Sequence, residues 1–310
     1  MRGTAVSSAA GAEEVGIARG GPALTLQTRP LAPTIGLEVI GLDLSKPLDH
    51  ATFAEISDLF NQHAILLFRG QDLTEDQHVT LSRRFGPLQS HVLKDYLKSD
   101  HPELLVVSNI LDDQGRPIGI GDAGQTWHSD TSYATKPCHC SLLYAREIPA
   151  PDGERTYGDT AFASLIAAYD ALPAETKAKL ADKRAIHSYE AYYLRKQKEG
   201  SKRPSLTKAQ QQEVPDVVHP MVRPHPITGR NALFVNEGYT IRVLDMDPAE
   251  SEALLNELFA FSTSDRFVYR HKWRKGDLIL WDNWASQHLA IADYSLPQRR
   301  LLHRTTVLAA

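Results

Sequence analysis

The sequence predicts a mainly β protein with helical additions, built on a jelly-roll-like core. Strand-like segments dominate the second half of the chain, and segments with helical periodicity lie before and between the strands. At 310 residues with 42% hydrophobic content, the chain can bury a sizeable core. No internal repeat is visible in it. Together these observations favour one large domain.

Composition narrows the classes of partner. The formal net charge is −4, which gives no general attraction to nucleic acid, so small anionic ligands have to be held locally. The two cysteines, Cys138 and Cys140, give no disulfide framework and alternate as packed strand residues do. The apolar runs are far too short to cross a membrane. We therefore expect a cytoplasmic protein with no nucleic-acid or membrane partner, and a homo-oligomer is compatible with the sequence.

Residues 1–30 are predicted to form a flexible tail. They are rich in Ala, Gly and Ser and contain no continuous apolar stretch of the kind that a signal peptide requires. Residues 31–310 are then expected to form a single domain.

Two strand–helix pairs are predicted at the start of this domain. "TIGLEVIGLDLS" and "AILLFRG" have strand character, and "ATFAEISDLFNQH" and "TEDQHVTLSRRFG" have helical periodicity. Thr52 with Glu55, and Thr74 with Gln77, have the spacing of capping boxes. Strands are expected next in "ELLVVSNI", in residues 126–133 and in "CSLLYAREI".

Residues 190–216 are predicted to be a mobile lid or an insertion. They are polar and basic, and no apolar period is sustained long enough to indicate core. Short helices are expected before this segment, in "SLIAAYDALP" and "AETKAKLADK". After it we expect a strand in "ITGRNALFVNEGY", a helix opened by Asp247 and Glu250, and final strands in "RFVYRHKW", "DLILWDN" and "RRLLHRTTVLA".

The stretch "TWHSDTSY" places His128 and Asp130 two residues apart. On a strand, residues i and i+2 point to the same face, so the imidazole and the carboxylate would converge as two ligands of a metal ion. A simple His–Asp hydrogen bond is the alternative. A third ligand must come from elsewhere, and His288 stands out because it follows a buried-looking strand and the turn-rich "DNWAS". Other histidines stay open as candidates: His139, His187, His219, His225, His271 and His303.

Motifs for other chemistries are missing or lack their context. "GIGDAG" satisfies G-x-G-x-x-G, but a β-branched, aromatic segment follows it where a dinucleotide site needs a helix N-terminus. The sequence contains neither a P-loop nor a G-x-S-x-G elbow. Phosphoryl transfer and serine hydrolysis are therefore not indicated.

The last strand carries two arginines on one face. Alternation places Arg300, Leu302 and Arg304 together, so each arginine could hold one of a pair of anionic groups. A solvated edge strand with surface arginines is the alternative. Leucines on both faces favour a central strand, in which buried arginines need anionic partners.

Four motifs in order, "WHSD", "GDT", "WDNWASQH" and "PQRRLLHRTTV", resemble the taurine/2,4-dichlorophenoxyacetate (TauD/TfdA) family of Fe(II)- and 2-oxoglutarate-dependent dioxygenases. The resemblance covers roughly Leu31 to Leu308 and includes "GLDLSKPL", "FGPL" and "HPITGRNALFVNEGYT". It implies a double-stranded β-helix (jelly-roll) fold, an Fe(II) cofactor, and 2-oxoglutarate and O₂ as co-substrates.

The resemblance also implies roles for single residues. The iron ligands are His128, Asp130 and His288. Arg300 then pairs with the distal carboxylate of 2-oxoglutarate, aided by Thr160; the loop containing "GERTY" is longer than usual, which leaves Thr156 as an alternative to Thr160.

For the substrate, the resemblance implies contacts from Arg304 and His91. Lys94, Gly124 and Tyr239 stand where taurine enzymes carry a tyrosine, an asparagine and a phenylalanine. We take Lys94 and Tyr239 as further substrate contacts and expect taurine itself to be a poor substrate.

The expected activity is hydroxylation of a small organic anion, a sulfonate, sulfate ester or carboxylate, with release of succinate and CO₂. Two alternatives are open at this point: a dioxygenase that tailors an amino-acid-derived metabolite, and a non-catalytic jelly-roll protein that binds a metal or ligand.

Overall fold

The fold was determined as a computed structural model that describes residues 26–90, 94–201 and 204–309. The strands within these ranges are β1 (Gln27–Pro30), β2 (Leu37–Ile40), β3 (Ile65–Phe68), β4 (Leu105–Ser108), β5 (Cys140–Glu147), β6 (Thr160–Ser164), β7 (Arg184–His187), β8 (Val217–Pro220), β9 (Val222–Pro224), β10 (Asn231–Leu233), β11 (Thr240–Val243), β12 (Val268–His271), β13 (Leu278–Asp282), β14 (Ser286–Ala290) and β15 (Leu301–Val307). The α-helices are α1 (His50–His63), α2 (Glu75–Arg83), α3 (Leu165–Ala171), α4 (Ala174–Leu180), α5 (Tyr189–Lys198), α6 (Lys208–Glu213) and α7 (Pro248–Ser262), and 3₁₀ turns lie at Lys94–Tyr96 and Asp265–Phe267. In these ranges no helix is long and apolar enough for a membrane span.

Two sheets form the central core. The larger sheet has seven strands in the order β1-β2-β3-β13-β5-β15-β4, and a three-stranded sheet has the order β12-β6-β14. Residues from both sheets, including Leu67, Trp281 and Phe162, pack in one hydrophobic cluster. Further pairings join β11-β7-β8 and β9-β10. The mainly β core with helical additions is thus as predicted.

The large sheet is apolar on both faces because helices cover its outer side. In β13, Ile279 and Trp281 pack in the central core, whereas Leu278 and Leu280 pack with residues of α1 and α2. Burial on both faces explains the continuous apolar runs "AILLF" and "LILW". Cys138 and Cys140 are both buried free thiols, which agrees with the packing role expected of them.

Helices α2 and α7 begin at the predicted capping residues, whereas the predicted cap of α1 needs correction. Thr74 and Gln77 form the predicted capping box of α2, and Asp247 caps α7. The predicted box at Thr52 is wrong. Asp49 is the N-cap of α1, and its carboxylate accepts the backbone N–H of Thr52, which lies inside the helix.

Three boundaries differ from the sequence prediction. Residues 27–30 are not tail but β1, which pairs antiparallel with β2; residues 1–25 lie outside the described residues. Residues 126–133 are not a strand, since only His128 pairs and a turn begins at Asp130. Residues 190–216 are not devoid of core, because most of α5 and all of α6 fall in this segment and α5 buries tyrosines.

Candidate active site

Three side chains of types that bind metal ions lie close together at the end of the central core. One ligand atom from each of His128, Asp130 and His288 lies within 4.8 Å of the others, and all three residues are buried. His128 Nε2 is 3.6 Å from Asp130 Oδ1, and the two imidazole centroids are 4.1 Å apart. Two imidazoles and one carboxylate on one side of a point form the donor set of a facial metal site.

A backbone pairing brings these residues together. His128 and His288 exchange N–H···O=C bonds of 3.0 and 2.8 Å, so the segment before the turn is fixed against β14. The chain then turns, with Thr131 at a φ of 53°, and Asp130 reaches the same point as the two imidazoles. The predicted convergence therefore holds, although a single bridge and a turn produce it and not a strand.

The charge states suit metal binding. His128 Nδ1 lies 2.8 Å from the carbonyl of Thr126, so we assign the proton to Nδ1, which leaves the lone pair of Nε2 available. Burial lowers the pKa of His288 well below its usual value, with a smaller contribution from His128. The Nδ1 atom of His288 is buried without a hydrogen-bond partner. Neutral imidazoles of this kind are the form that coordinates a metal.

The carboxylate is held ionised by its neighbours. Burial alone would raise the pKa of Asp130, but Arg304 and His128 keep it well below its usual value. Arg304 Nη1 donates to Oδ1 at 2.9 Å, and Ser141 Oγ donates to Oδ2 at 2.6 Å. Arg304 thus has an anionic partner at Nη1, as expected of an arginine in a central strand, while its Nε is buried without a partner. The whole donor set fits Fe(II).

Arg300 lies in a separate, aromatic environment. The residue is 3% exposed, and its Cζ is 5.9 Å from the ring of Trp273 and 5.8 Å from that of Tyr294. Its Nε is buried without a hydrogen-bond partner, and burial lowers its pKa. Thr160 contacts the same tryptophan, since Thr160 Oγ1 accepts a hydrogen bond from Trp273 Nε1 at 3.0 Å.

Of the two candidate threonines, Thr160 is the one built into the core. It is 3% exposed and lies in β6, where it pairs with β12 and β14. Thr156, in contrast, follows an exposed turn closed by Asp152 and Arg155. Gly158 makes room for the arginine, because an added Cβ would lie 2.9 Å from Arg300 Cδ.

Tyrosines form the wall of the cavity next to His128. We call Tyr133, Tyr189, Tyr192, Tyr193 and Tyr239 the tyrosine cluster; all five are buried. The Tyr239 ring is 5.9 Å from the His128 ring, and Tyr133, Tyr189, Tyr192 and Tyr239 line the same cavity as His128, Asp130 and Arg304. Sequence reasoning identified only Tyr239. The i, i+3, i+4 spacing of the three tyrosines in α5 could have indicated a buried helical face.

The remaining predicted substrate contacts are not all brought to this cavity. We call the cavity lined by His128, Asp130 and Arg304 the metal cavity. Lys94 is exposed and lines a neighbouring cavity, which shares Tyr133 with the metal cavity. His91 lies outside the described residues. Gly124 does line the metal cavity, and an added Cβ there would be 3.1 Å from His128 Cε1, so the imidazole occupies the space that a side chain would need.

The chain is similar to known proteins over most of its length. A model of the taurine catabolism dioxygenase TauD, TfdA family matches residues 27–306. The α-ketoglutarate-dependent 2,4-dichlorophenoxyacetate dioxygenase of Cupriavidus pinatubonensis is 34% identical over 295 residues, covering 92% of this chain and 98% of that protein. Pentalenolactone F synthase of Streptomyces avermitilis is 32% identical over 290 residues, covering 91% and 93%. The solved structure of AAD-2 in complex with Mn(II) and N-oxalylglycine superposes with a TM-score of 0.76 at 31% identity, covering 92% and 98%.

Proposed function

Because the chain belongs to the TauD/TfdA family of α-ketoglutarate (2-oxoglutarate)-dependent dioxygenases, we propose that His128, Asp130 and His288 hold the Fe(II) ion on which this enzyme depends. The protein is an oxidoreductase that uses 2-oxoglutarate and O₂, and the alternative of a non-catalytic binding protein is wrong. The observation that carries the proposal is the buried cluster of two imidazoles and one carboxylate within 4.8 Å.

Arg300 and Thr160 are the proposed site for the distal carboxylate of 2-oxoglutarate. When bound, Fe(II) with 2-oxoglutarate and O₂ supplies the oxidising power to hydroxylate a C–H bond, with release of succinate and CO₂. The protein residues orient the co-substrate. A buried guanidinium whose Nε has no partner gains a charge-assisted contact when a carboxylate arrives, and the neighbouring hydroxyl of Thr160 gives a second contact.

The proposed substrate is a small organic anion with an apolar or aromatic body. Arg304 supplies the positive charge in the metal cavity, since its Nη1 already pairs with Asp130 while its Nε is buried and unpaired. Tyr239 and the rest of the tyrosine cluster give the cavity an aromatic wall that suits a flat or apolar body. A relative named for 2,4-dichlorophenoxyacetate acts on an anion of this kind. We expect taurine to be a poor substrate by comparison.

Succinate release across matched compounds tests this proposal. Anionic, neutral and cationic analogues with the same body are compared for the wild type and for Arg304→Ala. We expect the wild type to prefer the anion by about tenfold or more, in line with roughly 1.5–3 kcal/mol for a hydrogen bond to a charged group, and Arg304→Ala to lose that preference.

Because Arg304 also contacts Asp130, its removal can weaken the metal site as well. Both proteins are therefore assayed at saturating Fe(II), and the ratio of kcat/KM for anion and neutral analogue is the readout. If Arg304→Ala lowers both values equally and keeps the ratio, Arg304 acts through Asp130 and not through the substrate.

The remaining expectations about the molecule stay predictions from the sequence. They are a cytoplasmic location, no nucleic-acid or membrane partner, and a contribution of Lys94 and His91 to substrate binding. Lys94 could act on a substrate that extends past Tyr133 into the neighbouring cavity.

A further inference from the structure

Hydrogen bonds lock the two ligand-bearing segments together at successive positions. Beyond the backbone pair of His128 and His288, Ser129 Oγ donates to the carbonyl of Ser286 at 2.8 Å. One residue further along, the backbone N–H of Asp130 donates to Asn283 Oδ1 at 3.2 Å. The turn that carries the carboxylate is therefore registered against the segment that leads into β14.

Asn283 uses its whole side-chain amide in this network. Its Oδ1 accepts from the Asp130 N–H and from Trp281 Nε1, at 3.2 and 2.9 Å. Its Nδ2 donates to Ser141 Oγ and to Cys138 Sγ, both at 3.2 Å. Because Oδ1 faces two N–H donors, the orientation of the amide is fixed. The residue is fully buried, so an unmade bond would be costly.

This arrangement directs the hydroxyl of Ser141. An amide NH₂ group can only donate, so Ser141 Oγ accepts from Asn283 and its own hydrogen points to Asp130 Oδ2, 2.6 Å away. The other carboxylate oxygen, Oδ1, faces His128 Nε2 at 3.6 Å. The two oxygens of Asp130 therefore have different partners: Oδ2 accepts from Ser141, and Oδ1 accepts from Arg304 Nη1 and is turned towards the imidazoles.

We propose that Ser141 and Asn283 are positioning residues that hold Asp130 so that it presents Oδ1 alone to the metal. The inference rests on the proposed metal site. Without the Ser141 hydroxyl, Oδ2 would lose its hydrogen bond and only Arg304 would hold the carboxylate, at Oδ1. The carboxylate could then turn to offer both oxygens, which would change the coordination and occupy space that the co-substrates need. Outer partners of metal ligands commonly act in this way.

The test compares Ser141→Ala with Ser129→Ala. Both changes remove one buried serine hydroxyl that donates a hydrogen bond near the site, but only Ser141 contacts the carboxylate. Co(II) serves as the probe: its affinity is measured by competition with a chelating dye, and its visible absorption spectrum reports the coordination. We expect Ser141→Ala to lose about 10- to 100-fold in Co(II) affinity and to change the spectrum. Ser129→Ala should stay within about threefold of the wild type, since it leaves both oxygens of Asp130 with their partners.

Two further variants, Ser141→Cys and Asp130→Ala, distinguish the positioning role of Ser141 from the metal site itself. Ser141→Cys keeps nearly the same shape with a weaker donor, so it should show a smaller loss of affinity and a partial spectral change even if Ser141→Ala does not fold. Asp130→Ala should bind Co(II) far more weakly than the wild type; if it does not, the proposed metal site is wrong. If Asp130→Ala loses the metal but Ser141→Ala and Ser141→Cys bind as Ser129→Ala does, only the positioning role is overturned.

Discussion

At the scale of single residues, the two arginines of the last strand region have different electrostatic surroundings. Arg304 pairs with the carboxylate of Asp130, which offsets part of its charge. Arg300 is buried beside Trp273 and Tyr294, and its Nε has no hydrogen-bond partner. Burying a cation without full compensation is costly. Asp159 and Asp293 attract Arg300, but neither forms an ion pair with it among the described residues. A carboxylate that enters the site would give Arg300 the direct partner that Arg304 already has in Asp130.

Arg300→Lys is expected to raise the KM for 2-oxoglutarate by about ten- to a hundredfold. Lysine keeps the charge but cannot reproduce the planar, two-point contact of a guanidinium with a carboxylate, and a charge-assisted hydrogen bond is worth roughly 1.5–3 kcal/mol. Initial rates of succinate formation at varied 2-oxoglutarate give the KM. Arg299→Lys is the control, because Arg299 is exposed and pairs with Glu147. An unchanged KM in Arg300→Lys would move the role to Arg304.

Single residues also show where sequence reasoning stops. The spacing of His128 and Asp130 indicated a chelate, and the motif order indicated His288. Nothing in the sequence pointed to Ser141 or Trp273, because each is one polar or aromatic residue in a buried segment, and its role depends on which strand lies beside it. Such contacts between distant parts of the chain are set by sheet order, which spacing along the sequence does not encode.

At the scale of elements, α5 lies almost wholly within the segment predicted to be a lid and borders the metal cavity. Tyr189 and Tyr192 line the cavity, and Arg195 donates to the carbonyls of Glu237 and Gly238. Just after the helix, Ser201 Oγ donates to Asp122 Oδ2 at 2.7 Å. We propose that α5 acts as a lid and that this last contact helps to hold it against residues 119–124.

Helices and strands were predicted well where apolar residues repeat over a long segment, and less well where the repeat is short. The helices around Leu59 and Leu258 and the central strands repeat their apolar residues over several turns or alternations. In α5 the apolar face consists of three tyrosines within five residues, surrounded by charged side chains. Because the segment is polar in composition, the sequence prediction missed this buried face. Residues 126–133 alternate as a strand does, but the positive φ of Thr131 ends any strand there.

Removal of the Ser201 contact is expected to loosen α5. Ser201→Ala should increase amide hydrogen exchange in residues 189–201 by about 2- to 10-fold, as expected for loss of a hydrogen bond worth roughly 0.5–1.5 kcal/mol. Exchange measured by mass spectrometry gives the result. Ser205→Ala is the control, because Ser205 accepts a hydrogen bond from Gln197 within the same segment. Equal exchange in the two variants would contradict a latch at Ser201.

At the scale of the whole molecule, the site lies where the two sheets meet. The large sheet contributes Arg304 from β15 and Ser141 from β5, while the small sheet contributes His288 from β14 and Thr160 from β6. The aromatic wall is added by α5 and by loops. Ligands and co-substrate contacts thus depend on how the sheets pack, so the stability of the fold and the geometry of the site are linked.

Two buried histidines that do not belong to the metal site make that stability depend on pH. His78 packs between α2 and the large sheet, and burial lowers its pKa to about 3. His187 in β7 is fully buried, and burial lowers its pKa to about 3 as well. Both are neutral in the folded protein at neutral pH. Since the pKa of an unfolded histidine is about 6.5, the unfolded chain takes up these protons first as the pH falls.

Acidification is therefore expected to lower the free energy of unfolding, and the loss should be smaller in His78→Gln than in the wild type. The contribution of a neutral buried histidine is fully present above pH 6.5 and is lost as the pH falls from 6.5 towards 3, at no more than about 1.4 kcal/mol per pH unit. Urea unfolding at pH 7 and pH 5 gives the free energy of unfolding. Between these two values, His78→Gln should lose roughly 1–2 kcal/mol less than the wild type, because it removes one proton that only the unfolded chain binds. The exposed His50→Gln is the matched control and should follow the wild type. If His78→Gln and the wild type lose the same free energy, the buried imidazole of His78 is not a source of the acid sensitivity.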